Sequence, residues 1–315
     1  MRVKILGSAA GGGFPQWNCA CRNCSGVLSG AVRSKRRSQT QVAVSHTGNS
    51  WCLLNASPDL RSQILNSPEL QPRQGEGTRD SPIASVAITG ADVDQVAGLL
   101  HLREFQPLQI YATESVRRIL TDGNSIFRAL QQVPNQAAWR DLPANRKFQL
   151  ACGDAPSDGF RCESFSIAGD FPAYASGTAG SSASAPGKSE EAVLGLILES
   201  ASEKKLAYMP NVAKLEDAWL PRLDACDILL FDGTFWDDDE LIRIRGEGKS
   251  AREMGHIPIS GAEASLERFS KLTHPRKIFI HVNNTNPILD EDSRERQQVA
   301  AAGWEIAEDG WDLEL

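Results

Sequence analysis

The chain has 315 residues, a formal net charge of −7, 41% hydrophobic residues and 23% charged residues. This composition is typical of a globular protein, and the acidic balance argues against a nucleic-acid-binding surface. Mean hydropathy is −0.31, and no apolar run approaches the ~20 residues of a membrane-spanning helix. The first residues resemble a strand more than a signal peptide. We therefore expect a cytoplasmic protein with no nucleic-acid partner and no membrane span.

Short apolar runs bounded by turn residues predict β-strands along the whole chain. They cover residues 3–6, 41–44, 51–54, 84–88, 109–111, 148–151, 194–198, 205–208, 228–231 and 277–281. Helical spacing of apolar residues predicts helices at 59–65, 94–104, 113–120 and 262–272. Strands that alternate with helices indicate an α/β layered fold. Residues 170–192 are rich in Gly, Ala, Ser and Pro, which predicts a flexible loop.

Three cysteines lie within six residues, at Cys19, Cys21 and Cys24. Thiolates this close in a loop suit the tetrahedral coordination of Zn²⁺, so the spacing predicts a zinc site that needs a fourth ligand. The alternative is three independent reduced thiols, as expected of cysteines in the cytoplasm. The Gly-rich residues 7–13 follow a predicted strand, but they do not match a dinucleotide fingerprint. We interpret them as a tight loop that presents the cysteines rather than a phosphate-binding loop.

Acidic and imidazole side chains follow several of the predicted strands. Asp92 and Asp94 lie near a helix start, where they either cap the helix or bind a cation. Asp232 ends a buried strand, as either a turn cap or a cleft residue, and His281 ends another, as either a core histidine or a ligand. His256 follows Gly255 on a loop and is a weaker candidate for a substrate or metal role. No nucleophile-elbow motif is present, so metal chemistry is favoured over nucleophilic catalysis.

Six segments together resemble one known family, the pyrroloquinoline-quinone (PQQ) biosynthesis protein B family of the metallo-β-lactamase superfamily. The first of them reads GSAAGGGFPQWNCACRNC. The six segments cover residues 7–24, 55–64, 92–104, 232–240, 252–256 and 281–293. The resemblance runs nearly from end to end. It implies a single four-layer αββα domain over residues 1–315, made of two mixed sheets with helices outside, and a homodimer is one assembly to be tested.

The resemblance also implies a role in making PQQ from a peptide-derived glutamate–tyrosine precursor. Cys19, Cys21 and Cys24 match the family's structural zinc loop, with Asp59, Asn284 and His281 as unranked candidates for the fourth ligand. The superfamily motif Thr-His-x-His-x-Asp-His falls on residues 89–95, where both early histidines are replaced and the last one is Gln95. An amide oxygen is a weaker donor than imidazole for Fe²⁺.

Three hypotheses follow from these residues. In the first, Fe²⁺ held by Asp94, Asp232 and His281 hydroxylates the tyrosine ring of the precursor, and His256 and Asp92 are catalytic residues. In the second, which Gln95 favours, a non-catalytic carrier binds PQQ or its precursor for transport to the periplasm. Arg103 and Arg252 would then pair with the ligand's carboxylates. The third, a hydrolase, is disfavoured because a dizinc site needs the missing histidines.

Overall fold

The computed structural model of the protein describes residues 1–73, 79–134, 136–153, 159–175 and 187–315. Part of the predicted loop at 170–192, residues 176–186, lies outside this description. The strands of the described part are β1 (Arg2–Gly7), β2 (Gln41–Ser45), β3 (Trp51–Leu54), β4 (Ile83–Ala87), β5 (Leu108–Ala112), β6 (Ala137–Asp141), β7 (Lys147–Leu150), β8 (Phe160–Ile167), β9 (Val193–Glu199), β10 (Lys205–Met209), β11 (Ile228–Asp232), β12 (Arg276–Ile280), β13 (Trp304–Ile306) and β14 (Asp312–Glu314). Its α-helices are α1 (Arg22–Ser29), α2 (Leu60–Leu65), α3 (Val93–Val96), α4 (Glu114–Thr121), α5 (Leu220–Asp224), α6 (Glu240–Arg245), α7 (Ser265–Arg268) and α8 (Arg294–Ala301).

The strands form two mixed sheets of seven strands each. The first sheet has the order β14-β1-β2-β3-β4-β5-β6, and the second has the order β13-β12-β11-β10-β9-β8-β7. In the first sheet, β2 and β3 are antiparallel, while β3 to β6 are parallel. In the second sheet, β7 to β9 are antiparallel and β10 to β13 are parallel.

The chain divides into two compact units. The first unit contains residues 1–6, 41–204 and 312–315, and the second contains residues 7–40 and 205–311. That the two units belong to one domain over residues 1–315, as expected from the sequence, stays a prediction. No helix in the described part of the chain has both the length and the apolar character needed to cross a membrane.

The core of the first unit is a cluster of buried apolar side chains from β3 to β5 and from the helices that follow them. Trp51, Leu53, Val86, Ile110 and Val116 are members of this cluster, and each is 0% exposed. Full burial of a side chain of this size contributes about 1.5–3 kcal/mol. These contacts hold the carboxyl ends of β3 and β4 in place, which is where the predicted acidic residues of this unit begin.

The core of the second unit is built on aromatic rings around its parallel strands. Phe231 of β11 contacts Phe269 edge-on with ring centroids 4.7 Å apart, and Phe279 of β12 stacks on Trp304 of β13 at 4.0 Å. Such pairs add roughly 0.5–1.5 kcal/mol beyond their area burial. The packing fixes the ends of β11 and β12, from which Asp232 and His281 project.

Two of the predicted helices differ in the structure. The helix predicted at 94–104 is the short α3 followed by a 3-10 helix over Ala97–Leu102, and the helix predicted at 262–272 is reduced to α7. In the latter region, residues 258–264 form a loop in which Ser265 N–H donates to the carbonyl of Pro258. The apolar spacing there reflects packing of a loop and one helical turn rather than a continuous helix.

Candidate metal centres

Asp232 and His281 come together because they follow neighbouring parallel strands. Asp232 is the last residue of β11, and His281 directly follows β12. Asp232 is paired in register with Ile280. Since parallel strands end at the same edge of a sheet, the two side chains share that edge. The sequence-based expectation of a cleft residue at each strand end is consistent with this placement.

His256 reaches the same place from a loop. Its backbone N–H donates to the Ala251 carbonyl at 2.9 Å, and the preceding Gly255 adopts φ +85°, a value that favours glycine. Asp232, His256 and His281 offer ligand atoms that all lie within 4.8 Å of one another. The structure therefore adds His256 to a cluster, the Asp/His cluster, in which the sequence suggested Asp232 and His281.

Hydrogen bonds determine which imidazole atoms face the carboxylate. His256 Nδ1 lies 2.8 Å from Asp232 Oδ2, and the two imidazole rings stack with centroids 5.4 Å apart. Thr234 Oγ1 lies 3.0 Å from His256 Nδ1 and 2.9 Å from His281 Nδ1. Both rings thus direct Nδ1 toward the Thr234 hydroxyl, which leaves Nε2 on the other side of each ring.

The Asp232 carboxylate is fully buried and accepts hydrogen bonds on both oxygens. Oδ1 accepts from Thr234 N at 3.0 Å and from Thr234 Oγ1 at 2.6 Å, whereas Oδ2 accepts from Val212 N at 2.8 Å and from His256 Nδ1. These donors offset the cost of burying a charged group. They also hold the carboxylate in one orientation.

His281 has an unusual backbone conformation. Its φ of +61° lies in the left-handed region, which costs a non-glycine residue about 1–3 kcal/mol. Its carbonyl accepts from Thr234 Oγ1 at 3.0 Å, and the next residue, Val282, donates its N–H to Ser8. The surrounding hydrogen bonds thus maintain a conformation that aims the imidazole into the Asp/His cluster.

The three cysteines form a second cluster, which we call the thiol cluster. Their Sγ atoms all lie within 4.8 Å of one another, and Cys21 is the N-cap residue of α1. Cys24 is buried, while Cys19 and Cys21 are half-buried. Three soft donors gathered at one point are what a Zn²⁺ site requires. The interpretation as three unrelated thiols does not account for this convergence.

The thiols of the cluster differ in acidity. Burial and the neighbouring thiols Cys19 and Cys24 together raise the pKa of Cys21 to about 11, although the Cys24 backbone N–H opposes them. Burial also opposes ionisation of Cys19, but hydrogen bonds from Cys21, Cys24 and Asn284 outweigh it and lower the Cys19 pKa. Cys19 therefore ionises more readily than Cys21 when no metal is bound.

Asn284 is the fourth-ligand candidate that contacts the thiol cluster. Its Nδ2 lies 3.1 Å from Cys19 Sγ, 3.3 Å from Cys24 Sγ and 3.7 Å from Cys21 Sγ. Its side chain is buried, and its backbone carbonyl accepts a hydrogen bond from Asn23 Nδ2 at 3.2 Å. Of the other two candidates, His281 belongs to the Asp/His cluster, and Asp59 is the N-cap residue of α2.

Residues 281–286, which we call the connecting segment, join the two clusters. The segment begins at His281 and contains Asn284, which contacts the thiol cluster. Asn286 Nδ2 donates to the carbonyls of Gly233 and Thr234 at 3.0 and 3.2 Å. The connecting segment therefore contributes His281 to the Asp/His cluster and the Asn284 contact to the thiol cluster.

The Gly-rich loop uses its backbone donors within the protein. Gly12 N–H donates to Gln39 Oε1 at 3.0 Å, Gly13 N–H to the Ala10 carbonyl at 3.1 Å, and Phe14 N–H to the Arg37 carbonyl at 2.8 Å. A phosphate-binding loop needs such N–H groups to face a ligand. The interpretation as a loop that carries the cysteines fits this arrangement. Trp17, just before them, is 89% exposed.

Three of the predicted site residues lie in the first unit. Asp92 is the N-cap residue of α3 without a capping side-chain hydrogen bond, and Asp94 lies in the first turn of that helix. Gln95 is buried next to Gly90. Burial and the charge of Asp92 raise the pKa of Tyr174 to about 12. The metal role of Asp94 and the catalytic role of Asp92 stay predictions.

The two arginines of the carrier hypothesis already contact protein groups. Arg103 lies 3.3 Å from Glu104 and donates to the carbonyl of Leu100. Arg252 donates to the carbonyls of Ala262 and Glu263 at 3.0 and 3.3 Å. A guanidinium has five N–H donors, so these contacts use only part of the hydrogen-bonding capacity of each side chain.

The residue at the centre of the Asp/His cluster, Thr234, was not among the site residues predicted from sequence. Thr234 is 2% exposed and contacts all three members of the cluster. Its only signal is its position two residues after Asp232 at the end of a buried strand, where a hydroxyl can bond back to the carboxylate. A threonine in a turn is too common for that signal to stand out.

Known proteins resemble this chain along its whole length. The family described as Beta-lactamase superfamily domain matches residues 50–282. Coenzyme PQQ synthesis protein B from Nitrosococcus oceani is 42% identical, with 100% of both chains covered, and the protein of that name from Methylobacterium sp. is 41% identical with the same coverage. The chain belongs to the coenzyme PQQ synthesis protein B family.

A solved structure of this family shares the fold. The crystal structure of Zn²⁺-bound PqqB from Methylobacterium extorquens is 40% identical, with a TM-score of 0.88 over 100% of both chains. The predicted metallo-β-lactamase fold with two mixed sheets is thereby confirmed. A diphosphatase of the PhnP family, at 19% identity and a TM-score of 0.65, shares the fold alone.

Proposed function

We propose that this protein is a metal-dependent oxygenase of PQQ biosynthesis that hydroxylates the tyrosine ring of a glutamate–tyrosine-derived precursor. Involvement in PQQ biosynthesis is supported by the full-length relatives named for it. The observation that carries the finer proposal is the Asp/His cluster, in which two imidazoles and one carboxylate lie within 4.8 Å. Two histidines with one carboxylate are the donor set of non-haem Fe²⁺ oxygenases.

The residues present fit such an ion. Asp232 is oriented by four donors, and one of these, the Thr234 hydroxyl, has a second acceptor at the His281 carbonyl. If the Thr234 hydroxyl donates to the His281 carbonyl instead, Asp232 Oδ1 loses one hydrogen bond and can offer a lone pair to a metal. We assign Asp232, His256 and His281 as the ligands, so His256, which the sequence suggested as a catalytic residue, is here a ligand.

Bound Fe²⁺ would activate O₂ for insertion of one oxygen atom into an aryl C–H bond. The second oxygen atom leaves as water, so each turnover consumes two protons and two electrons from an external reductant. The chain's own part is to hold the donors in place. The Asp232 carboxylate is also buried, so it would offer a bound ion a ligand oxygen that is shielded from water.

We also propose that the thiol cluster holds a structural Zn²⁺. The support is the three convergent sulfurs and the Asn284 amide, together with a 40% identical relative described as Zn²⁺-bound. Amide nitrogen and oxygen exchange places when the side chain turns by half a rotation. In the metal-bound form we expect the Asn284 oxygen to face the ion as the fourth ligand.

The test of the oxygenase proposal uses the full chain loaded with Fe²⁺ under anaerobic conditions. Glutamate–tyrosine dipeptide, ascorbate and O₂ are then added, and the product mass is measured. A gain of one oxygen, lost in Asp232→Asn and His281→Gln, supports the proposal. Glu247→Gln, a change at an exposed residue of the same unit, is the control for loss of a charge. An iron-loaded protein that yields no oxidised product but binds PQQ tightly would favour the carrier hypothesis instead.

A further inference from the structure

A charged cavity of about 480 Å³ lies in the first unit, at the carboxyl ends of β5 and β6. Its wall includes Ala112, the last residue of β5, and Arg140 and Asp141, the last two residues of β6. The parallel strands β4, β5 and β6 end at one edge of the sheet, and residues 89–95, on which the superfamily motif falls, follow β4 there. Ligands of open α/β sheets bind outside such carboxyl ends, and small-molecule sites have volumes of about 300–1,000 Å³.

A short stretch of chain links the cavity to the motif residues. Glu190 lines the cavity, and the carbonyl of its neighbour Glu191 accepts from Thr113 Oγ1 at 3.0 Å. A few residues later, Leu194 N–H donates to the Thr89 carbonyl at 2.8 Å. The same stretch therefore contacts both the wall of the cavity and the first motif residue.

Helix α4 begins at the cavity, but its first backbone donors are already used. Val116 N–H donates to Thr113 Oγ1 at 3.2 Å, and Ser115 N–H donates to the Glu191 carboxylate at 2.9 Å. These bonds satisfy the N–H groups that the start of a helix leaves without an intrahelical partner. The groups that a ligand can reach are therefore the charged side chains of the wall.

The wall carries four basic and four acidic side chains. Glu114 pairs with Arg117 at 2.6 Å, and Lys188 lies 3.6 Å from Glu191. These two pairs leave two guanidinium groups and two carboxylates.

The remaining four groups belong to Arg140, Arg146, Asp141 and Glu190, which are all exposed. Arg140 Nε donates to Gln109 Oε1 at 3.1 Å, so the two terminal nitrogens of this guanidinium can bind another acceptor. Among the residues that the structure describes, none forms an ion pair with any of these four side chains. A cavity with charges of both signs in this state suits a ligand that also carries both.

We propose that this cavity binds a zwitterionic peptide with two carboxylates and one ammonium group. Arg140 and Arg146 each bind one ligand carboxylate, because a planar guanidinium can form two parallel N–H···O bonds with it. Asp141 and Glu190 accept hydrogen bonds from the ammonium group. A ligand with carboxylates alone would lie beside these two acidic side chains with no group to pair with them, which selects against it.

This inference rests on the proposed function in one respect: the glutamate–tyrosine precursor carries this set of charges. Glutamate contributes a side-chain carboxylate and the free ammonium group, and tyrosine contributes the terminal carboxylate. The cavity is a binding site of the first unit and is assigned no part in the oxidation itself.

The test is a calorimetric titration of the full chain, with Zn²⁺ in the thiol cluster and no iron, by the glutamate–tyrosine dipeptide. We expect binding that N-acetylation of the dipeptide weakens roughly 10- to 100-fold, because acetylation removes the ammonium charge. No binding of the dipeptide, or equal binding of the acetylated form, would overturn the proposal without any variant of the protein.

Two variants test the carboxylate contacts. Arg140→Gln and Arg146→Gln keep a polar side chain but remove the charge, and we expect each to lower the dipeptide affinity roughly 10- to 100-fold. Arg118→Gln is the matched control, because Arg118 is an exposed arginine of α4 outside the cavity wall. An unchanged affinity in either cavity variant, or an equal loss in Arg118→Gln, would refute the site. Because the titration uses no iron, it can fail while the oxygenase assay succeeds, and the reverse.

Discussion

The side-chain amide of Asn284 lies 3.1 Å from the sulfur of Cys19, although 265 residues separate them in the chain. The amide hydrogens face a cluster in which hydrogen bonds lower the Cys19 pKa despite its burial. In the metal-free state the Asn284 amide stabilises the Cys19 thiolate by donating a hydrogen bond to it. With its oxygen turned inward it becomes a metal ligand, so one side chain suits both forms of the thiol cluster.

Asn284→Ala should weaken zinc binding at the thiol cluster. The alanine offers no oxygen, so the ion keeps three sulfurs and an open position, and we expect an affinity loss of about 10-fold or more. Asn284→Asp should bind at least as tightly as the unaltered chain, since carboxylate is a stronger ligand. Competition with a chromophoric chelator measures both. Asn283→Ala, one residue away, is the control, and an Asn284→Ala affinity equal to it would exclude Asn284 as a ligand.

Asn286→Ala should destabilise the second unit. Its buried amide donates to the Gly233 and Thr234 carbonyls, and its oxygen accepts from Ile288 N–H. Truncation leaves these backbone groups without that partner, which costs about 1–3 kcal/mol. Denaturant unfolding followed by circular dichroism measures the loss. A loss below the error of the method would show that the connecting segment is held by other contacts.

Gly233→Ala should displace the residue between Asp232 and Thr234. A Cβ at this position would lie 2.8 Å from Phe279 Cβ and 3.1 Å from the Ile280 carbonyl oxygen, and neither belongs to the end of a flexible side chain. We expect a destabilisation of about 1–3 kcal/mol together with weaker Fe²⁺ binding. Thermal unfolding and calorimetric titration report the two effects. A variant with unaltered melting temperature and iron affinity would contradict the close approach of β11 and β12.

Glu240 should make the stability of the protein depend on pH. Burial raises its pKa to about 7, although Thr285 and the Trp236 N–H donate to the carboxylate. Because the folded pKa lies above that of an unfolded glutamate, about 4.3, the folded state binds this proton more tightly. This contribution to stability is complete below about pH 4 and is lost as the pH rises to about 7.

Glu240→Gln imitates the protonated carboxyl at every pH. We therefore expect the variant to gain stability relative to the unaltered chain between about pH 4 and pH 7, by a few kcal/mol in total. Urea unfolding at several pH values measures the difference. The exposed Glu247→Gln is the control for removal of one negative charge. If the two variants show the same pH dependence, Glu240 is ionised in the folded protein across that range.

The sequence predicted the local features of the fold well. The strand predicted at 51–54 coincides with β3, and the apolar run at 228–231 is β11 without its last residue. Strand β8 was missed because polar and charged residues interrupt its apolar positions. Continuous apolar runs identify fully buried strands, whereas a strand with one polar face needs its neighbours to be known.

The two clusters differ in how far sequence could predict them. The thiols lie within six residues, so their spacing alone indicated one site. Asp232, His256 and His281 are spread over 50 residues, and only the register of β11 and β12 and the loop before His256 bring them together. Thr234 was not predicted, and Asn284 was one of three unranked candidates, because the contacts of both residues depend on side-chain rotamers within that arrangement.

The division of the second unit between residues 7–40 and 205–311 has a consequence for synthesis on the ribosome. Cys24 is made 260 residues before Asn284. Since translation adds roughly 5–20 residues per second, the nascent chain exposes three thiols for ten seconds or more before Asn284 exists. Zinc bound during that interval would have only sulfur ligands from the protein. It would gain its fourth ligand, Asn284, only after the connecting segment has been translated.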